Sequence, residues 1–243
     1  MPLRRMSAAD RQPYLLAHSG LLSLFTPLAS GWSVASLYGI QINWRDIMVR
    51  SAGIFLPQLG LRMVQVNVSF PVRDVLNPWA FFGTMGVLQG AVYGHANVAF
   101  ARGWGVGPAE TVPAVARRGA GFAAGRDALS QGLPYVFSHR LRESVLDPLF
   151  PTEADARVAN AAKHWASVLS LSAAGTFASQ FLHNCQVAMH AEAGLSHMEA
   201  PLRVWASQGW QSLYKGVAAR MGLLMITNVA NELLLRPVWE HYE

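Results

Sequence analysis

Charge is scarce in this chain. Only 14% of its 243 residues are Asp, Glu, Lys or Arg, against roughly 25% in ordinary soluble domains. Lysine is almost absent: it occurs at Lys163 and Lys215 alone, so the net charge of +5 is carried by arginine. Those positives are scattered over links and helix ends, which excludes the basic stripe of a nucleic-acid-binding surface. Arginines at such places suit lipid phosphates, their stems lying along apolar surface. Cys185 is the sole cysteine. It can close no internal disulfide, and inside an apolar run it reads as a small packing residue. The start Met-Pro-Leu-Arg-Arg is basic, but the apolar run behind it is too long for a signal-peptide core, and Asp10 counts against an acid-free transit peptide. No cleaved targeting segment is expected.

The missing charge leaves long gaps. Gln12–Trp44, Val75–Ala101 and His164–Ala191 contain no Asp, Glu, Lys or Arg. Each is followed by a shorter apolar stretch with one or two charges: Ser51–Val72, Gly119–His139 and Gly216–Leu235. A membrane-crossing helix needs roughly 20 mostly apolar residues. The alternation of long and short runs predicts an all-α membrane protein, with six transmembrane helices in three pseudo-symmetric helix-pair repeats. One domain, 1–243, would hold repeats at about 12–76, 77–147 and 160–239. The competing expectation is a soluble all-helical protein with buried helices; three uncharged runs of spanning length argue against it, although mean hydropathy is only +0.22.

The predicted helices are Pro13–Gly39, Gly53–Val72, Pro78–Phe100, Gly119–Arg142, His164–Met189 and Gly209–Leu235. Asn43–Arg50, Arg102–Arg118, Glu143–Lys163 and Glu192–Gln208 read as links. Pro27 and Pro134 should kink their helices. Gly86, Gly90 and Gly94 fall four apart, a small-residue seam for close helix packing. Most tryptophans, Trp44, Trp79, Trp104, Trp165, Trp205, Trp210 and Trp239 among them, lie at helix ends or links, as interface anchors do. Six spans would put both termini on one side.

Catalytic and metal signatures are lacking. Gly103, Gly105 and Gly107 are followed by Pro108, not by the Lys-Ser/Thr of a phosphate loop, and no Gly-x-Ser-x-Gly or His-Glu-x-x-His occurs. No enzyme is expected, and no cofactor. His183, His190 and His197 stand seven apart. On one helix that is about 10 Å, too far for ligands of one ion at about 2 Å each. They read as hydrogen-bonding or membrane-surface residues, with no metal.

The third unit carries a motif. Gly209-Trp-Gln-Ser-Leu-Tyr-Lys-Gly-Val-Ala-Ala-Arg220 resembles the entry to an even-numbered helix of the mitochondrial carrier family. Arg118-Gly119 followed by Arg126-Asp127-Ala-Leu-Ser-Gln-Gly-Leu-Pro-Tyr-Val-Phe137 resembles that family's fourth helix. Phe55-Leu-Pro-Gln-Leu-Gly-Leu-Arg62-Met63 parallels Leu213 to Met221, and Arg62 to Asp74 has the spacing of Arg220 to Glu232. The resemblance implies a threefold pseudosymmetric six-helix bundle of the mitochondrial inner membrane. The chain is shorter than the family's usual length, with the shortening in the links after odd helices, where a small surface helix normally lies.

The family closes each odd helix with Pro-x-Asp/Glu-x-x-Lys/Arg, and the pairs form a gate. Here the matching pieces are Pro27-Leu-Ala29-Ser-Gly-Trp32, Tyr93-Gly-His95-Ala-Asn-Val98 and Phe181-Leu-His183-Asn-Cys-Gln186. Ala29, His95 and His183 replace the acids; Trp32, Val98 and Gln186 replace the bases. No gate ion pair can form. The family's substrate-contact positions correspond to Gln65, to Arg126 with Asp127, and to Leu223. Arg126-Asp127 reads either as a mutually neutralised interior pair or as a site.

Two functions follow from the resemblance. The first is a degenerate, non-transporting carrier-like protein serving as a structural or accessory subunit of a respiratory-chain or ATP synthase complex, its path filled by side chains such as Trp32, Phe100 and Leu223. The alternative is a divergent carrier moving a small metabolite by alternating access through Gln65, Arg126 and Asp127. Expected partners are the bilayer, an anionic phospholipid such as cardiolipin at helix ends, and other inner-membrane subunits.

Overall fold

In the computed structural model, residues 8–73, 75–107, 114, 117–151, 157–235 and 238 are described. Asp74, Pro108, Pro113, Pro237 and Trp239 lie outside them. All regular structure among the described residues is helical. Eight helices are labelled here: α1 (Ala8–Tyr38), α2 (Trp44–Arg73), α3 (Pro78–Gly103), α4 (Ala120–Leu141), α5 (Arg157–Ala178), α6 (Gln180–Ala191), α7 (Glu199–Gln208) and α8 (Val217–Ala230). Wider or tighter turns extend α4 over Arg142–Leu146 and α8 over Asn231–Leu235, and a tight turn over Gly209–Leu213 precedes α8.

Local chemistry sets the boundaries. Asn77 caps α3 by accepting from the Ala80 N–H at 3.0 Å, with Pro78 pre-set in the first turn. Asn43 does the same for α2, accepting from Arg45 and Asp46 N–H groups. Asn43–Arg50 is therefore not a free link: helix begins at Trp44. Gly119 and Gly216 open α4 and α8 at φ 67° and 79°, a backbone that favours glycine. Helical structure is continuous through Pro27 and Pro134.

The expected fifth helix is divided at Ser179. The Ser172, Thr176 and Ser179 hydroxyls each donate to the carbonyl four residues back, at 2.6, 2.6 and 2.7 Å. Such back-bonding competes with the helix ladder and bends it. The expected link Glu192–Gln208 contains α7, which buries Ala200 and Val204 against Cys185, Ala188 and Met189 of α6. The sixth helix begins eight residues later than expected, at Val217.

The six long helices close into a ring: α1 packs on α2, α2 on α3, α3 on α4, α4 on α5, α5 on α8, and α8 back on α1. The second half of the broken helix, α6, packs against α3 and α4. Glycines bring the middle of the ring together. A Cβ on Gly86 would stand 2.6 Å from the Ala123 carbonyl, and one on Gly175 would stand 2.7 Å from the Leu129 carbonyl. α4 is thus held backbone to backbone between α3 and α5.

The ring has two unlike ends. At one, Val34, Ile47, Phe100, Ala101, Val187 and Ala191 form an apolar plug. At the other, Gln131, Tyr135, His139, His164, Asn228 and Glu232 line a mouth of about 460 Å³. α1, over Asp10–Tyr38, is long and apolar enough to cross a membrane; no other helix among the described residues meets that measure.

Candidate functional site

Polar side chains fill the middle of the ring. Arg126 and Arg220 are the two largest fully buried side chains, and Arg62 is 3% exposed. Soluble domains rarely bury arginine so completely unless it is paired. Each of the three sits on a different helix, α2, α4 or α8.

Arg126 is paired along its own helix. Its Nε and Nη2 donate to the two Asp127 carboxylate oxygens at 2.6 and 2.9 Å. Its Nη1 donates to Gln186 Oε1 at 2.6 Å, and its Cζ stands 4.7 Å over the Tyr93 ring. The pair is forked, fully buried and fixed from α3 and α6, so it acts as one neutral unit.

Arg220 reaches the break between α5 and α6. It donates to the Thr176 carbonyl at 3.2 Å, to Gln180 Oε1 at 3.2 Å and to Ser179 Oγ at 2.7 Å. The last carbonyls of a helix carry partial negative charge and lack partners, so a guanidinium there both caps and neutralises.

Arg62 meets neutral acceptors only: Gln65, Gln89 and Thr26. Gln65, expected beside Arg126 and Asp127, belongs instead to this cluster, between Arg62 (3.1 Å) and the Met85 carbonyl (3.4 Å). The structure joins Arg126 with Asp127 and leaves Gln65 apart.

The gate-equivalent positions are packed. Ala29 lies with Tyr93 and Leu223, and Val98 is fully buried. His95 Nδ1 is 3.0 Å from Gln58 Nε2. His183 sits edge-on to Tyr93 at 5.9 Å, its ring nitrogens without partners among the described residues. Gln186 holds Arg126. Trp32 does not plug the interior: half-buried, it packs edge-on against exposed Trp44 at 5.5 Å. Phe100 is in the apolar plug and Leu223 in the core.

No protein-family model, curated protein or solved structure matches this chain.

The three spaced histidines part company. His190 bonds Asn97 and the Arg118 carbonyl, His197 stacks on Phe122, and His183 stays against Tyr93. Near the plugged end, Asp46 accepts from Arg50 Nε at 2.9 Å and from Trp104 Nε1 at 2.8 Å. These bonds hold its carboxyl below the usual range, Arg50 contributing most. Arg50 also donates to the Gly103 carbonyl, tying α2 to the end of α3.

Arg62 and Arg220 lie within the pieces that carry the family resemblance, but outside its substrate-contact positions. A signal existed: Arg62 is the lone charge of Ser51–Val72, and ionisable residues in apolar spans are functional candidates by default.

Proposed function

We infer that this chain is a carrier-like membrane bundle of six spans in three helix pairs, working as a non-transporting accessory subunit of a mitochondrial inner-membrane complex. The observation that supports the membrane reading is the inverted distribution of polarity. Arginines, glutamines and serines are buried in the ring, while Leu16, Leu24, Leu56, Val64, Phe177 and Leu233 face outward. A water-soluble bundle is built the other way round. Arg62, Arg126, Asp127 and Arg220 lie in the interior while large apolar side chains face out, as a lipid surrounding favours.

The loss of transport is inferred from the gate-equivalent positions. Alternating access needs contacts at that end that can break and re-form. Ala29, Val98 and Phe100 are buried apolar residues there, and no pair of opposite charges joins the six positions. The close backbone contacts at Gly86 and Gly175 add stiffness to α3, α4 and α5. A respiratory-chain complex or the ATP synthase is the kind of host expected.

A divergent carrier is the second reading, favoured by one observation. The polar mouth leads toward Arg62 and Gln65, since Phe82, Gln131 and Asn231 line both the mouth and the smaller cavity beneath it.

Mild-detergent solubilisation of mitochondrial membranes, a native gel and mass spectrometry of the band separate the two. Comigration with a large complex in fixed ratio to its core subunits is expected. Migration as a lone small protein, with liposome uptake lost in Arg126→Ala, would overturn the accessory role and establish the carrier.

A further inference from the structure

The buried charges do not balance. Among the described residues the buried charges are Arg62, Arg126, Arg220 and Lys163 against one buried carboxylate, Asp127, which Arg126 engages; Lys163 is answered by Asp147 at the end of the ring. Arg220 is supplied by the carbonyl and hydroxyl at the end of α5. Arg62 alone touches neither an acid nor a helix end; Asp127 acts on it only from a distance, across the Arg126 pair. Its Nη1 and Nη2 donate to two glutamine oxygens and a threonine hydroxyl, all neutral, and its Nε–H has no partner among the described residues. Leaving a buried ion without an opposing charge is costly.

The same guanidinium lines a small cavity between α1, α2, α3 and α8, of about 50 Å³. One water needs roughly 10–15 Å³, so the space takes a few waters or one small ion and excludes a nucleotide or a dicarboxylate. Its walls combine apolar Leu22, Val66 and Met85 with the amides and hydroxyl of Gln131, Asn231 and Thr227. No carboxylate is among the described residues that line it. A cation would meet Arg62 and be repelled. A monovalent anion would meet one full charge and the amide N–H groups of Gln131 and Asn231, the Thr227 hydroxyl being spent on the Leu223 carbonyl.

We propose that this cavity holds a small monovalent anion, of chloride to formate size, as the counter-charge of Arg62. The ion enters from the mouth, past Gln131 and Asn231. It serves stability rather than catalysis, and its presence is independent of whether the bundle transports anything.

The test is heat unfolding of the purified full chain in detergent, at constant ionic strength. Sodium chloride and sodium formate are titrated against sodium gluconate, an anion too large for the cavity. Chloride and formate should raise the midpoint saturably by a few degrees. In Arg62→Met the response should vanish. Should that variant fail to fold, Gln89→Glu carries the test. It places a carboxylate on an existing Arg62 contact, and should raise the midpoint in gluconate while abolishing the chloride response. Equal midpoints for the wild type in chloride and gluconate, or an undiminished chloride response in Gln89→Glu, would overturn the proposal.

Discussion

At the residue scale the Arg126–Asp127 pair sets the sharpest expectation. Both groups have left water, and each is compensated by the other through two bonds. Removing one partner strands a buried ion, which costs about 3–5 kcal/mol, whereas replacing both with apolar residues of similar volume is often close to neutral. Arg126→Met and Asp127→Leu should each lower stability by about that much, with the double variant more stable than either single one. Detergent unfolding of the four proteins closes the cycle. A double variant as unstable as the sum of the singles would mean that the residues act apart. The pair was legible in sequence because two adjacent charges interrupt an apolar helix. Its anchors were not: Gln186 lies 60 positions away, and Tyr93 is an ordinary apolar-face aromatic until Arg126 is seen above it.

At the element scale, close packing and end links decide which helices stay together. Gly86 and Gly175 admit no side chain without moving backbone on α4. Gly86→Val should destabilise by about 1–3 kcal/mol, the usual effect of overpacking. The equally conservative Gly222→Val, with open space around it, should cost much less. The link at the far end of α4 is ionic. Asp147, just beyond it, accepts from Lys163 of α5 at 2.9 Å and stands 3.7 Å from Arg142. The Lys163 bond, chiefly, holds the Asp147 carboxyl below the ordinary range. A depressed carboxyl contributes stability above its unfolded pKa, about 3.9, and loses it as pH falls through the lower folded value. The wild type should therefore exceed Asp147→Asn by a small, solvent-screened margin at neutral pH. That margin should shrink toward zero on acidification below about pH 4. A margin independent of pH would assign Asp147 a packing role. The seam at Gly86 and Gly90 is readable from spacing alone. The division at Ser179 is harder, because three hydroxyls one turn apart look like ordinary small packing residues until Arg220 arrives from α8 to take the freed carbonyl. α7 hides for another reason: Glu199, Arg203, Ser207 and Gln208 interrupt its apolar residues, and only Ala200 and Val204 are buried.

At the scale of the whole molecule, the ring of six long helices follows from the six apolar runs, and the polar interior does not. Uncharged runs say where helices can be buried in something apolar; they do not say which face meets protein and which meets lipid. That distinction needs the packed ring, where Arg62 and Gln58 of α2 turn inward while Leu56 and Val64, 74% and 61% exposed, turn out. The outward face gives a test of the membrane reading that is independent of transport. A lysine near the centre of a lipid-facing helix costs roughly 2.5–3.5 kcal/mol of insertion free energy, but on a water-facing helix it costs almost nothing and aids solubility. Leu56→Lys and Val64→Lys, made together, should sharply reduce the alkali-resistant membrane fraction of the chain. Arg50→Lys, at the helix end, should leave it unchanged. If the double variant were instead to remain folded and become more soluble in buffer without detergent, α2 would face water, and the six-span arrangement would have to give way to a soluble ring with an unusually charged core.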